Sequence, residues 1–568
     1  AFGSDWYQKS MTFNPSHIVN AYATYNKNIS KHSLSATLGV NYENSKASTL
    51  YGKRDNLISE SLNDLNLAIG DNIVATGGAS ATELFGLFFR ANYNFSERYL
   101  LEFNGRYDGT SRFRSGDRFG FFPSVSGAWR VSEEKWFMPL KSIFDNLKIR
   151  GSYGMLGNQE GVATYPYSVM YQSLSSYLVD GAKAYYLTSP APVSDNMTWE
   201  KTATKNLGID VTILKNRLSI SGDFYIRKTT DMLVEGVTLP QVFGADSPNQ
   251  NAGVMETRGF EVSLNWSDNL KLAGKPLSYS ISASLGDATS KITRYQGNDS
   301  GLIFNDINNM QNVNYYTGKV GEIWGFKTDG LFQSDQEAAS WETNQTYVNQ
   351  DIVKSKGDWG KLRGGDVKYV DLDGDKKITV GQMTLSNHGD LKVIGNTTPR
   401  YNYSFGGNVN WNRIDFSVFF QGIGKRDFYA NKEMDKFWGT YGRVNNTFVP
   451  VNIAGKAWSE DNKGGYFPQI ERGDAAYTNM SQLQVYNDRY LQNIGYLRLK
   501  NLTVGYSFSG KWMQKAHLSK FRLYVSGENL FCWSPFTKYI DPEQAMASID
   551  ARIYPFSRTF SFGVNANF

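Results

Sequence analysis

The chain has 568 residues, with 59 basic against 54 acidic side chains, one cysteine, four histidines, 54 glycines and only 15 prolines. One cysteine excludes an internal disulfide framework, so few Cys and His make a zinc cluster hard to assemble, and the even charge balance excludes a nucleic-acid footprint. No run approaches 18 consecutive apolar residues, which excludes a helical membrane span, while 15% aromatics within only 40% hydrophobics point to dispersed apolar positions and β structure.

Taken in chain order, segments 18–27, 34–42 and 84–95 alternate apolar and polar residues weakly, and 99–108 (YLLEFNGRYD) does so cleanly. Segments 119–130, 147–154 and 205–213 follow. In 217–226, Leu218, Ile220, Gly222, Phe224 and Ile226 fall on one face, with Ser219, Ser221, Asp223 and Tyr225 on the other. The same split recurs in 260–267, 277–286, 401–411, 414–421, 521–527 and 560–568, while 495–508 alternates more weakly. Successive strand side chains point to opposite faces, so each segment has one apolar and one wet, small-residue face. About sixteen strands are expected on these criteria.

A two-sheet sandwich and a transmembrane barrel both give that signature. Three features favour the barrel. The segments are about ten residues long, as a tilted membrane-spanning strand requires. Aromatics sit at segment ends, as in Tyr99/Tyr107, Tyr401/Trp411 and Phe560/Phe568, where interfacial girdles lie. Short links such as 268–276 and Asn412-Arg413 alternate with long stretches at 155–204, 288–398 and 422–494. The expected fold is therefore all-β, a large antiparallel transmembrane β-barrel with short periplasmic turns and long extracellular loops.

Particular residues narrow this further. Arg98–Phe113 (RYLLEFNGRYDGTSRF) is followed by Arg118–Glu134 (RFGFFPSVSGAWRVSEE) and Leu147–Gln159 (LKIRGSYGMLGNQ). Trp199-Glu-Lys-Thr, Asn206–Asp210, Asn251-Ala-Gly, Arg258–Glu261, Asp371–Asp375, Gly495–Tyr506, Ser526–Phe531, Asp541-Pro-Glu543 and Tyr554-Pro555 continue the series in order. The run resembles the SusC-like (SusC/RagA) branch of TonB-dependent outer-membrane transporters of Bacteroidetes-type bacteria. The resemblance implies that residues 1–568 are the C-terminal part of such a barrel, about sixteen strands of about 22, with the N-terminal plug, the TonB box and the first strands outside this chain. It further implies TonB-dependent active import of oligomeric nutrients, oligosaccharides or oligopeptides, across the outer membrane of a Gram-negative bacterium. The implied partners are a SusD-like surface lipoprotein and, through the absent N-terminal region, the TonB-ExbB-ExbD energising complex. No bond is made or broken, so no catalytic residue and no obligate cofactor is expected. The alternative is a passive porin-type channel.

Asp371, Asp373 and Asp375 place carboxylates at positions 1, 3 and 5 of a turn, the oxygen-rich start of a calcium loop. Lys376 stands where glycine is preferred and Gln382 where a bidentate acid would close the shell, so an Asp-rich surface turn is the competing reading. Asp108–Phe113 reads as a structural turn with Arg112 facing the lumen, since Ser111 has no nearby histidine to activate it. His17, His32, His388 and His517 are scattered, and Cys532 reads as a packed residue. Tyr165, Tyr171 and Tyr185 in one long loop, Trp324 and Trp359 in a second, and Trp438 and Tyr441 in a third are candidate substrate-binding residues, because flat rings among amides suit sugar stacking or peptide docking. Phe568 resembles the C-terminal aromatic signal read by the barrel-assembly machinery.

Overall fold

The computed structural model describes residues 5–568 apart from 60, 62–63, 170, 172, 181, 188–189, 191, 195–196, 237–238, 246, 356, 443–448, 452 and 548–552. β1 (Trp6–Phe13) and β2 (Ser16–Ile29) both pair with β3 (His32–Asp55), β2 along its first half and β1 along its second. Pro15 separates them because it has no N–H to give the ladder, although its carbonyl still accepts from Lys46 N at 3.0 Å. β4 (Ile73–Phe95), β5 (Tyr99–Thr110), β6 (Phe119–Arg130) and β7 (Phe144–Asn158) follow. A separate hairpin of β8 (Ser173–Val179) and β9 (Ala182–Leu187) precedes β10 (Glu200–Ile213), β11 (Leu218–Glu235), β12 (Asn249–Leu272) and β13 (Lys275–Tyr295).

The long connection after β13 carries two small ladders. In these, β14 (Glu322–Phe326) pairs with β17 (Leu391–Asn396), and β15 (Thr328–Leu331) pairs with β16 (Val367–Tyr369). β18 (Arg400–Trp411) and β19 (Ile414–Lys425) form a hairpin, and β20 (Asp427–Phe428) pairs with β21 (Gln492–Asn493). β22 (Tyr496–Phe508), β23 (Lys520–Trp533) and β24 (Thr559–Asn567) end the sequence of strands. Among the described residues, sixteen strands share one sheet in the order β1-β3-β4-β5-β6-β7-β10-β11-β12-β13-β18-β19-β22-β23-β24, with β2 against β3.

The expected alternation of tight and long connections is present. Two residues join β2 to β3, β12 to β13 and β18 to β19. At Ala273-Gly274 both φ angles are positive, +49° and +74°, the left-handed pair that a tight hairpin needs. Two boundaries differ from the sequence reading. The expected 268–276 link is strand up to Leu272 and again from Lys275, because Leu270 and Leu272 alternate with Asn269 and Lys271 and carry the strand period to the turn itself. β3, β4, β12 and β13 run for 24, 23, 24 and 21 residues, twice the expected ten, and β1 carried no clear signal.

The chain folds as two compact units. The first comprises Ala1–Glu134, Ile149–Leu207 and Arg227–Val254. On one face of its sheet Leu38 pairs with Phe89, Val40 with Leu87 and Tyr42 with Phe85, then Leu87 with Tyr107 and Tyr107 with Phe121. All are exposed. The opposite face holds Arg90, whose guanidinium donates to Glu102 (Nε–Oε2 3.1 Å), and Asn104, which donates to Glu102 Oε1 at 2.6 Å. A large exposed apolar face backed by a charged, hydrogen-bonded one is the reverse of a water-soluble sheet and is what a lipid-facing wall with a wet interior requires.

The second unit comprises Lys135–Lys148, Gly208–Ile226 and Met255–Phe568. Its strands repeat the pattern: Ile414 pairs with Tyr506, Tyr506 with Leu523, Phe416 with Val504, Val504 with Val525 and Val525 with Phe562, all exposed. Behind them, Arg522 Nε donates to Asp415 Oδ1 at 2.7 Å, and the Ser284 and Ser404 hydroxyls meet at 2.7 Å. The packed interior of this unit lies outside its sheet. Its largest cluster of buried residues comes entirely from the connections 296–399, 426–495 and 534–558, with Phe326, Tyr369, Phe437, Trp438, Phe467 and Tyr490 at the centre. Loops that could not stand as extended ribbons in water bury one another's aromatic surface instead.

Candidate functional site

The loop core holds a cavity of about 550 Å³. Gln311, Asn312, Tyr315, Tyr316, Tyr429 and Tyr486 are among its walls. The Tyr429 and Tyr486 rings stack with centroids 4.2 Å apart. Tyr429 is fixed from behind, its hydroxyl donating to Leu483 O at 3.0 Å. Tyr316 donates to Glu322 Oε2 at 2.8 Å and accepts from Trp324 Nε1 at 2.6 Å. Burial pushes the Tyr316 hydroxyl well above its ordinary pKa, so it stays a proton donor. Asn431 Nδ2 donates to Gln311 Oε1 at 2.9 Å, which orients two amides at the rim. Aromatic walls with oriented amides can hold a polar, ring-bearing or amide-bearing ligand without reacting with it.

The structure separates the aromatic candidates. Trp324, on β14, is buried and enters the cavity's hydrogen-bond chain through Tyr316. Trp359 is 43% exposed, with the Arg363 guanidinium 4.9 Å from its ring centroid. Trp438 and Tyr441 are fully buried, and Trp438 Nε1 donates to Ala430 O at 3.1 Å while Tyr441 OH donates to Pro468 O at 2.7 Å. These two side chains pack the loop core and present no surface to a ligand. In the first unit, Tyr171 and Tyr185 are strongly exposed, and Tyr165 donates to Ala81 O at 3.1 Å. The sequence reading missed Tyr316, Tyr429 and Tyr486; each sits beside further apolar or aromatic residues in a segment without strand period, which was the available signal.

The Asp371, Asp373 and Asp375 carboxylates come together, with one ligand atom from each lying within 4.8 Å of the others. Their oxygens also cap the turn itself: Asp371 accepts from Gly374 N at 2.7 Å and Lys376 N at 2.8 Å, and Asp375 accepts from Lys377 N at 2.7 Å. Lys376 adopts φ +63° where a calcium loop would favour glycine. Buried Asp390 ties both ends of the loop, accepting from Leu372 N at 2.6 Å and Thr379 N at 2.8 Å. Its pKa is raised by burial and by Asp373 and Asp371 nearby. Three convergent carboxylates fit the start of a calcium shell, and residue 382, a glutamine, supplies no acid to complete it. Calorimetric titration of calcium into the wild type and Asp373→Ala distinguishes the two readings: heats lost in the variant would assign the turn an ion, and identical heats for both proteins a purely structural role.

A second acidic group marks the loop core. Asp351, in the short helix Gln350–Val353, is 3% exposed and accepts from Gln482 Nε2 at 2.9 Å. Asp366, Asp474 and Arg472 are the charged groups near it, and burial first, then the two acids, lifts its pKa to about 7. A raised folded-state pKa means that the folded unit holds a proton which the unfolded chain releases near pH 4. Stability is therefore fullest below about pH 4 on this account and declines as pH rises through about 7. Protease resistance of the loop core is expected to fall between pH 5.5 and pH 8, and Asp351→Asn should flatten that slope. An unchanged slope in the variant would place the effect elsewhere.

In the first unit, the motif runs converge. Trp199, 4% exposed, packs edge-on against Phe113 and Phe122, with centroids 5.6 and 5.4 Å away, and its indole N–H donates to Arg118 O at 2.9 Å. Glu200 accepts from Leu233 N at 2.7 Å and from Asn158 Nδ2 at 3.0 Å, and Asn251 Nδ2 reaches Thr198 O and Asp231 O. Gly157 is required here, because a Cβ would fall 2.1 Å from the Phe122 ring. Ser111 Oγ accepts from Glu83 N at 2.9 Å, the structural use expected of that turn. The Arg112 guanidinium donates to Val162 O, which ties the turn after β5 to the segment after β7.

The family model described as TonB dependent receptor-like, beta-barrel matches residues 2–530. The chain belongs to that family. It is 28% identical over 570 residues to TonB-dependent receptor P3 of Formosa agariphila, covering 96% of this chain and 52% of that protein. It is 27% identical over 506 residues to TonB-dependent receptor SusC of Bacteroides thetaiotaomicron, covering 87% and 44%. The chain thus spans about half the length of the curated relatives it matches. Among solved structures, the RagAB peptide importer in its closed-closed state aligns with TM-score 0.76 at 21% identity, over 99% of this chain and 56% of that one. That likeness shows the fold, a TonB-dependent receptor barrel. The relatives are named as receptors and importers, in keeping with a chain that is not an enzyme.

Proposed function

We propose that this chain is the barrel part of an outer-membrane transporter that imports an oligomeric nutrient, an oligosaccharide or oligopeptide, with energy delivered through TonB. The observation that carries the reading is the family match along residues 2–530, combined with strands that present apolar residues outward and charged pairs on the other face. On this reading a plug, outside these 568 residues, gates the wet lumen and receives the pull of TonB-ExbB-ExbD. A SusD-like surface lipoprotein sits on the long loops, a partnership suggested by the kinship to SusC and RagAB. The cavity beside Tyr316 and Tyr429 and exposed Trp359 in the second unit and, separately, Tyr171 and Tyr185 in the first supply candidate cargo contacts. The proposal extends to calcium at Asp371, Asp373 and Asp375 as a loop-stiffening ion.

The test is uptake. A strain lacking the transporter is expected to lose growth on one class of oligomer, and a TonB-deficient strain should show the same loss. Uptake that persists without TonB, together with steady conductance of the intact protein in bilayers, would favour the passive porin instead.

A further inference from the structure

Within the second unit, a groove of about 670 Å³ opens between residues 455–466, 489–493 and 535–539. Lys456, Arg489 and Lys538 line it, and among the described residues no carboxylate does. Among the described residues none of these cations takes part in an ion pair. Arg489 is braced without being neutralised: Nε donates to Tyr466 O at 3.0 Å, Nη2 donates to Gly465 O at 2.8 Å, and the guanidinium stands 5.5 Å from the Tyr466 ring centroid. The Lys538 ammonium lies 4.9 Å from the Tyr539 ring centroid. Carbonyls and ring faces orient a cation while leaving its charge intact, and low-dielectric walls concentrate the resulting field. Three like charges converging on one concave surface repel one another, a cost that an incoming anion relieves.

We propose that this groove binds the anionic groups of an acidic oligosaccharide, a sugar chain bearing carboxylates or sulfate esters. The proposal rests on the import reading above and gives that cargo a charge. Side chains, glycine turns and ring edges line the groove, whereas an extended peptide is usually held by main-chain pairing along a free strand edge. With Nε and Nη2 held by the two carbonyls, Arg489 turns its Nη1 edge to a carboxylate or sulfate, and the two lysines act as mobile point charges beside it.

The experiment is calorimetric titration of the full chain in detergent with an oligogalacturonate, a sulfated oligosaccharide, a neutral malto-oligosaccharide and an oligoglutamate peptide. Lys456→Gln/Lys538→Gln is the main variant, since neither lysine packs the core, and Arg489→Gln is the second. At low salt the acidic sugars are expected to bind and the neutral one not to, with affinity lost in high salt and reduced about tenfold or more in the double lysine variant. The carboxylated and sulfated arms identify which anion the groove prefers. Absence of acidic-sugar binding, equal affinity in the variant, or binding of the peptide alone would overturn the proposal. TonB-dependent uptake by the same variant is scored separately: uptake retained without acidic-sugar binding removes the groove and leaves the importer standing.

Discussion

Replacing Arg472 with alanine is expected to cost the loop core about 3–5 kcal/mol while leaving the strands assembled. Arg472 and Asp366 are 3% and 0% exposed, and the guanidinium grips the carboxylate with both teeth, Nε–Oδ1 and Nη2–Oδ2 each 2.8 Å. Its remaining donors reach Trp359 O at 2.6 Å and Lys361 O at 2.8 Å. The pair joins the connection after β13 to the connection after β19, and Gln482 extends it, donating to Asp351 and Asp366 and accepting from Val367 N. Alanine would strand a buried Asp366 charge beside an Asp351 already pushed toward neutrality. The loss therefore exceeds the value of the ion pair itself, because an unpaired buried charge bears its full desolvation cost. Hydrogen exchange should speed up across residues 300–399 and 426–495, while the heat-modifiable gel mobility of a folded barrel persists. Arg472→Lys should fall between, keeping the charge but losing the fork. Wild-type protection in the alanine variant would show that the aromatic cluster holds the loops without this pair.

The sheet was legible from the sequence wherever one face meets an apolar medium and the other meets water. Segments 99–108, 401–411 and 521–527 alternate because lipid-type and lumen-type surfaces impose a period of two. Strand segments become illegible once both faces are wet. Residues Lys46–Asp55 and Ile73–Thr82 pair rung by rung, yet they alternate nothing, since main-chain hydrogen bonds alone carry the ladder there. The loop core was hidden for a related reason. Aromatic content reports how much apolar surface a loop contains but not which way it points. Trp438 and Tyr441 therefore read like ligand contacts although they are buried, while Trp359 read the same way and is exposed. The Asp371–Asp375 turn was legible because its chemistry is local: three carboxylates at alternate positions converge within one turn whatever surrounds them.

Trp199→Ala is the corresponding test in the first unit, with an expected loss of about 3–5 kcal/mol from the cavity it leaves. The indole fills the space between Phe113 on the turn after β5 and Phe122 on β6, with interplanar angles of 63° and 69° that set ring edges against ring faces. Its N–H also satisfies the Arg118 carbonyl, and the flanking Thr198 hydroxyl satisfies that of Asp117. Removing the ring thus opens a void and leaves the Arg118 carbonyl with the Thr110 N–H, at 3.2 Å, as its remaining partner. The consequence should spread beyond the void: Thr198 and Glu200 hold Asn251, Asn158 and Leu233, so a shifted residue 199 loosens the strand ends that those residues belong to. Lower thermal stability with faster proteolysis near residues 111–118 and 159–167 is the expected outcome. Trp199→Phe should recover most of the packing but not the hydrogen bond, leaving a deficit of about 1 kcal/mol. Equal stability of the two variants would mean that the hydrogen bond, not the packed ring, is what the turn after β5 depends on.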